Sequence, residues 1–129
     1  MTKDAQVKSA AAAIVDHFGS GRVGQYFECF APDADFIFYT HAERIVSRNA
    51  YVELWKTWER EIGFKVVGCT STNQNVRLMD ENNAIFTHDV ASKIQTNDGI
   101  DIVLERETVV FTFSEGKWVA VHEHLSPRN

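Results

Sequence analysis

This 129-residue chain lacks the marks of a nucleic-acid binder, a membrane protein or a disulfide scaffold. Thirteen Lys and Arg against 18 Asp and Glu leave a net charge of −5. The basic surface that phosphate backbones and anionic lipid headgroups require is therefore missing. No apolar run approaches the roughly 20 residues of a membrane-spanning helix. Cysteine is limited to Cys29 and Cys69, without a pattern. Two such cysteines in apolar segments read as reduced thiols, and so as a cytoplasmic setting. The opening MTKDAQVKSAAAAIV holds a short apolar run, but Asp16 and His17 follow at once. It reads as helix rather than signal peptide. No Gly-rich phosphate loop, CxxC or GxSxG occurs, which removes nucleotide-binding, zinc-ribbon and α/β-hydrolase readings.

What is present is an ordinary globular composition, 44% hydrophobic and 24% charged, in a length that makes one domain, residues 1–129. Thr2 can cap a first helix along Val7, Ala11, Ile14, Val15 and Phe18, ended by Gly19 and Gly21. A shorter helix is expected from Arg22 to Phe30, stopped by Ala31-Pro32-Asp33. Strands are expected at Asp35–Thr40 and Arg44–Ser47. A third helix, capped by Ser47 or Asn49, carries the stripe Tyr51, Leu54, Trp55, Trp58 and Ile62, and Gly63 closes it. Three long strands follow at Phe64–Met79, Ala84–Thr96 and Ile100–Ser114, with a last one at Trp118–Leu125. Asp80-Glu81-Asn82-Asn83 and Asn97-Asp98-Gly99 make the turns.

Alternation along a strand separates two faces. On the last strand Val119, Val121, Glu123 and Leu125 share one, and Trp118, Ala120, His122 and His124 the other. A three-residue turn at Ser114-Glu115-Gly116 would pair Phe113 with Lys117, Val109 with Val121 and Glu107 with Glu123.

Val15 to Phe36, VDHFGSGRVGQYFECFAPDADF, resembles without gaps the helix–helix–strand opening of ketosteroid isomerase. Arg106 to Ser126, RETVVFTFSEGKWVAVHEHLS, and Leu78 to Gly99, LMDENNAIFTHDVASKIQTNDG, resemble the association domain of calcium/calmodulin-dependent protein kinase. The chain is thereby identified as a member of the nuclear transport factor 2-like, or SnoaL-like, superfamily, nearest to that association-domain subgroup. The resemblance implies an α+β fold of cystatin-like α-β-α-β(4) type. In it a cone-shaped, curved antiparallel sheet wraps a long helix around one pocket. It also implies which face looks inward: Phe86, His88 and Val90; Glu107, Val109 and Phe111; Val121, Glu123 and Leu125.

Ketosteroid isomerase uses a carboxylate base and an oxyanion hole made by a tyrosine and a protonated aspartate. The resemblance maps the tyrosine to Ile14, the base to Phe38 and the aspartate to Val109, all apolar, so that mechanism is not expected. The association domain's three pocket arginines map to Val90, Val109 and Leu125, so small acids are not expected as ligands. The polar inward residues are His88, Glu107 and Glu123, the candidate acid–base set. In the bland alternative His88 only hydrogen-bonds Glu107 or Tyr39, and Glu123 pairs with Arg77 or meets water. Phe38, Trp55, Phe86, Val90, Val109, Phe111, Val121 and Leu125 are the candidate ligand-binding residues.

The expected function is a small-molecule pocket: a cofactor-free isomerase, cyclase or lyase acting on a small, largely apolar ligand. The alternative is a ligand-binding or association module without chemistry. No metal or other cofactor is expected. His122 and His124 have zinc-compatible spacing, but two ligands do not close a site. Their face is read instead as the contact of a homodimer.

Overall fold

The elements run α1 (Lys3–Gly19), α2 (Val23–Glu28), β1 (Phe30–Phe38), α3 (Arg48–Ile62), β2 (Lys65–Leu78), β3 (Asn83–Thr96), β4 (Gly99–Ser114) and β5 (Lys117–Pro127). The structure, a computed structural model, describes residues 1–128; Asn129, the end of the expected domain, lies outside them. This is the expected α+β class, with a five-stranded sheet in the order β1-β5-β4-β3-β2.

Local chemistry sets the helix ends. Thr2 Oγ1 accepts from the Ala5 N–H at 3.1 Å. Ser47 Oγ accepts from the Ala50 N–H at 3.0 Å, which makes Ser47 rather than Asn49 the cap of α3. Gly63, at φ 65°, ends that helix in the left-handed region.

Three expectations are corrected. α2 is shorter than expected, and Ala31-Pro32-Asp33 lies inside β1 rather than before it. β1 is an edge strand whose pairing shifts between Phe30 and Asp35. Such an irregular edge tolerates a proline that has no N–H to give. The Arg44–Ser47 strand contracts to one bridge, Phe36 to Ile45, with N–H···O distances of 2.9 Å both ways. β2 to β5 are antiparallel, but β1 pairs with β5 in parallel. β1 meets β5 only after α3 and three further strands, so no hairpin dictates their direction.

The last hairpin also departs from its expected register. The turn has two central residues, Glu115 (φ 51°) and Gly116 (φ 80°), the positive pair that a type I′ turn needs. Ser114 therefore faces Lys117, and Phe111 faces Ala120. Next to the turn this moves Trp118 and Ala120 to the helix side of the sheet. Ala120 is fully buried, and Trp118 Nε1 donates to Gln6 Oε1 of α1 at 3.0 Å. A bulge at Val121 then restores the original face, so that Val110 meets His122 and Val109 meets Glu123. Glu107 faces Leu125, not Glu123.

The helices pack on one face of the sheet around Phe30, Phe36, Phe86, Phe111, Val7 and Val109, each at most 1% exposed. Each such aromatic contributes about 1.5–3 kcal/mol on burial, so the fold does not depend on the polar groups described next. The end of α1 sits hard against β2. A Cβ on Gly19 would lie 2.9 Å from both the Cys69 nitrogen and its Cβ.

Candidate functional site

The polar interior grows from strand alternation. His88 on β3 and Glu107 on β4 are direct cross-strand partners, and His88 Nε2 meets Glu107 Oε1 at 2.7 Å. Ser71 on β2 reaches the other ring nitrogen, with its Oγ 2.6 Å from Nδ1. A shift in the β2–β3 register between Thr72 and Asn75, with Asn73 at φ 53°, places Gln74 beside Ser71. Gln74 Nε2 donates to Ser71 Oγ at 2.9 Å. The hydrogen bonds run from exposed Gln74 through Ser71 and His88 to Glu107.

Glu123 stands one strand further, on β5. It is 2% exposed, and its Oε1 has no hydrogen-bond partner among the described residues. It neither pairs with Arg77 nor meets bulk water. Burial first, then the negative charge of Glu107 and a side-chain hydrogen bond with it, then the charge of Glu105, push its carboxyl well above the usual range. Tyr26 and Tyr51, from α2 and α3, meet hydroxyl to hydroxyl at 2.9 Å in the same interior. Burial first, then Glu123, raises both well above the normal phenol value. They stay protonated, and the hydroxyl that accepts from its neighbour keeps its own proton for a guest.

Two adjoining cavities surround these groups. The inner one, about 50 Å³, is lined by Tyr26, Tyr51, His88, Glu105, Glu107 and Glu123, with apolar walls that include Ile14, Phe18 and Val90. The outer one, about 380 Å³, is lined mainly by Phe38, Tyr39, Trp58, Phe64, Ile94 and Val103. Phe18, Tyr51, Ser92, Glu105 and Leu125 belong to both. Among the described residues no Lys or Arg lines either cavity.

The structure thus brings His88, Glu107 and Glu123 to one cavity, with Val90 and Leu125 beside them and Phe38 in the outer wall. The other expected ligand contacts line neither cavity. Phe86 and Val109 are sealed in the core. Phe111 faces a separate cleft below α1 and α2. Val121 occupies the bulge. Trp55 packs edge-on against Phe27 and Phe64, at centroid distances of 5.5 and 5.0 Å.

Sequence reasoning missed Glu105, Ser71, Tyr26 and Tyr51. Glu105 shares the parity of Glu107, so alternation alone could have found it. Ser71 becomes legible only when β2 is registered on β3, and no local signal joins two tyrosines 25 residues apart. Glu105 is raised chiefly by burial. Tyr39, beside it at the outer mouth, is pushed up to about 12 by burial and by that carboxylate. Burial lifts the Cys69 thiol to about 11, so it is no thiolate nucleophile near neutral pH.

On the outer face, Asp35 Oδ1 meets His122 Nδ1 at 2.8 Å and Arg44 Nη1 meets Asp35 Oδ2 at 2.8 Å. Among the described residues no three His, Cys, Asp or Glu side chains are placed to hold a metal ion. No helix among them is long and apolar enough to cross a membrane.

A helix-backed, mostly antiparallel five-stranded sheet closing on a single interior defines the class, a cystatin-like or nuclear transport factor 2-like α+β fold. The chain belongs to the SnoaL-like domain family, whose pattern matches residues 7–128. No curated protein matches it in sequence. Among solved structures it is similar to the CamKII hub homology domain of Chlamydamonas reinhardtii, with a TM-score of 0.77, 16% identity and 100% of both chains covered. It is also similar to a ketosteroid isomerase-like protein from Erwinia carotovora atroseptica, with a TM-score of 0.80 and 13% identity over 97% of this chain and 95% of that one. A third is a Catenulispora acidiphila protein in complex with S-DNPA, with a TM-score of 0.76 and 14% identity over 94% and 90% of the two chains. At these identities the likeness establishes the fold.

Proposed function

We propose that the protein binds a small, largely apolar molecule in the adjoining cavities and moves a proton on it without a cofactor, as an isomerase, cyclase or lyase. The observation that carries this reading is His88 fixed between Ser71 and Glu107 at the wall of a cavity that also holds Glu123, whose Oε1 has no partner. A histidine anchored at both nitrogens is oriented at the cost of two hydrogen bonds, which packing alone does not demand. Glu123 can give a proton to the guest or hold its polar end. The Tyr26–Tyr51 pair offers a neutral donor to oxygen where charge develops. The apolar outer cavity takes the rest of the molecule.

The second reading is a binding or association module, and a specific surface favours it. Ile100, Ile102 and Leu104 project from the outer side of β4, with Ile102 68% exposed. Further along the same face Thr108 and Val110 stand opposite His124 and His122 of β5, which completes a mixed surface suited to a two-fold contact. We propose a homodimer through this face, in the cytoplasm. The hub domain among the similar structures and the one in complex with a small molecule agree with association and with binding respectively.

The two readings separate on one experiment. Fragments bound to the full-length protein are located by amide shift changes, and turnover of any bound carbonyl compound is followed by exchange of its α-hydrogens. Exchange lost in His88→Gln, with binding retained, supports catalysis. Binding without exchange leaves the binding module.

A further inference from the structure

The inner cavity has a surplus of acid that its own residues do not balance. Glu105, Glu107 and Glu123 line it together, and His88, already engaged by Glu107, is the one basic side chain among its described lining residues. Glu123 Oε1 is buried with no partner. A buried carboxyl oxygen without a donor is costly unless a guest supplies one. The adjoining walls are aromatic, with Phe18 and Tyr51 shared by both cavities and Tyr39, Trp58 and Phe64 lining the outer one. Faces of such rings attract cations. An acidic floor, an aromatic approach and walls free of Lys and Arg form one recognisable chemistry.

From this geometry we infer that the pocket's ligand is a primary or secondary amine, its ammonium seated among Glu123, Glu107 and Glu105 and its apolar body in the outer cavity. This rests on the reading of the cavities as a ligand site and names the class of molecule that site selects. In it His88 and Glu107 carry the proton chemistry, and Glu123 is the anchor. An anion finds no Lys or Arg to meet it and is opposed by the acidic lining, and a neutral apolar guest leaves Glu123 Oε1 unsatisfied.

The proposal has a proton balance. The groups facing Glu123 are Glu105 and Glu107 from β4, His88 from β3, Cys69 from β2, Tyr26 from α2 and Tyr51 from α3. α1 and β1 contribute apolar residues, Ile14 and Val15 from the first and Phe36, paired with Glu123, from the second. With that company, the Glu123 carboxyl keeps its proton when the pocket is empty. An arriving ammonium favours the carboxylate, so that proton is released to solvent as the ion pair forms. Amine binding should then tighten as pH rises, while the amine itself remains charged.

Three size-matched probes test this on the full chain: 2-phenylethylamine, 2-phenylethanol and phenylacetate, by titration calorimetry in two buffers of different ionisation enthalpy. The expected result is an amine that binds about tenfold or more tighter than the alcohol. Its binding should release a proton and gain affinity as pH rises above the ordinary glutamate range. Phenylacetate should show no binding. Glu123→Gln should abolish the proton release and the amine's advantage over the alcohol. If the alcohol or phenylacetate binds as tightly as the amine, the inference is overturned and the pocket reading stands. If none of the three binds at millimolar concentration, the pocket reading falls and the inference with it.

Discussion

Glu107 and His88 face each other across β4 and β3 and join through Oε1 and Nε2 at 2.7 Å, while Ser71 holds the opposite ring nitrogen. A carboxylate accepts but does not donate. When Glu107 is charged, neutral His88 must therefore carry its proton on Nε2 and take one from the Ser71 hydroxyl at Nδ1. The Gln74 amide donates to Ser71 in the same sense. Nitrogen-15 NMR of the imidazole should show the Nε2–H tautomer in the neutral form. Ser71→Ala should lower stability by about 1 kcal/mol and shift the Nδ1 resonance, which loses its hydrogen-bond donor, while Glu107 keeps the proton on Nε2. A spectrum unchanged by that substitution would remove Ser71 from the arrangement.

Glu123 should make stability fall as pH rises. Its folded pKa is raised above the unfolded value, so the native state holds a proton that the unfolded chain has lost. The stability linked to that proton is complete below about pH 4.3, the unfolded glutamate value. It declines toward the raised folded value by up to about 1.4 kcal/mol per pH unit. Glu123→Gln carries no such proton. Its denaturant midpoint should approach that of the parent protein at acidic pH, near the unfolded glutamate value, and exceed it increasingly as pH rises toward the raised folded value. Parallel pH profiles for the two proteins would show that Glu123 is ionised in the native state.

Gly19 should not tolerate a side chain. A Cβ there would meet the Cys69 backbone nitrogen at 2.9 Å, and a backbone atom held in the β2–β3 ladder cannot step aside as a flexible side chain would. Gly19→Ala should cost about 1–3 kcal/mol and, since Cys69 lines the inner cavity, weaken ligand binding as well. Chemical denaturation measures the first effect. Unchanged stability would mean that α1 and β2 sit further apart than the structure has them.

The outer face of β4 should lose self-association when charged. A dimer burying on the order of 1,200–2,000 Å² through Ile100, Ile102 and Leu104 cannot absorb two unpaired carboxylates. Light scattering should give a dimer for the parent protein and a monomer for Ile102→Glu, with the helical content unchanged. A parent protein that is monomeric at micromolar concentration would dispose of the association proposal.

The sequence by itself determined the elements and their faces. Caps at Thr2 and Ser47, the stop at Gly63 and the turn residues are local signals, and the alternation of His88, Glu107 and Glu123 is carried by each strand alone. Pairing could not be read that way. The last hairpin uses a two-residue turn where three were expected, and the bulge at Val121 adds one residue back. Two one-residue steps return Glu123 to its face but move its partner from Glu107 to Val109. Parity survives such shifts because it repeats every two residues, whereas the choice of partner changes with each one. Tertiary structure alone decided that Tyr26 meets Tyr51, that Ser71 reaches His88, and that of the two helix tryptophans Trp58 rather than Trp55 reaches a cavity. Those contacts arise where α2, α3 and the bent β2 are packed together, and no period in the sequence records the distance between elements that touch only after folding.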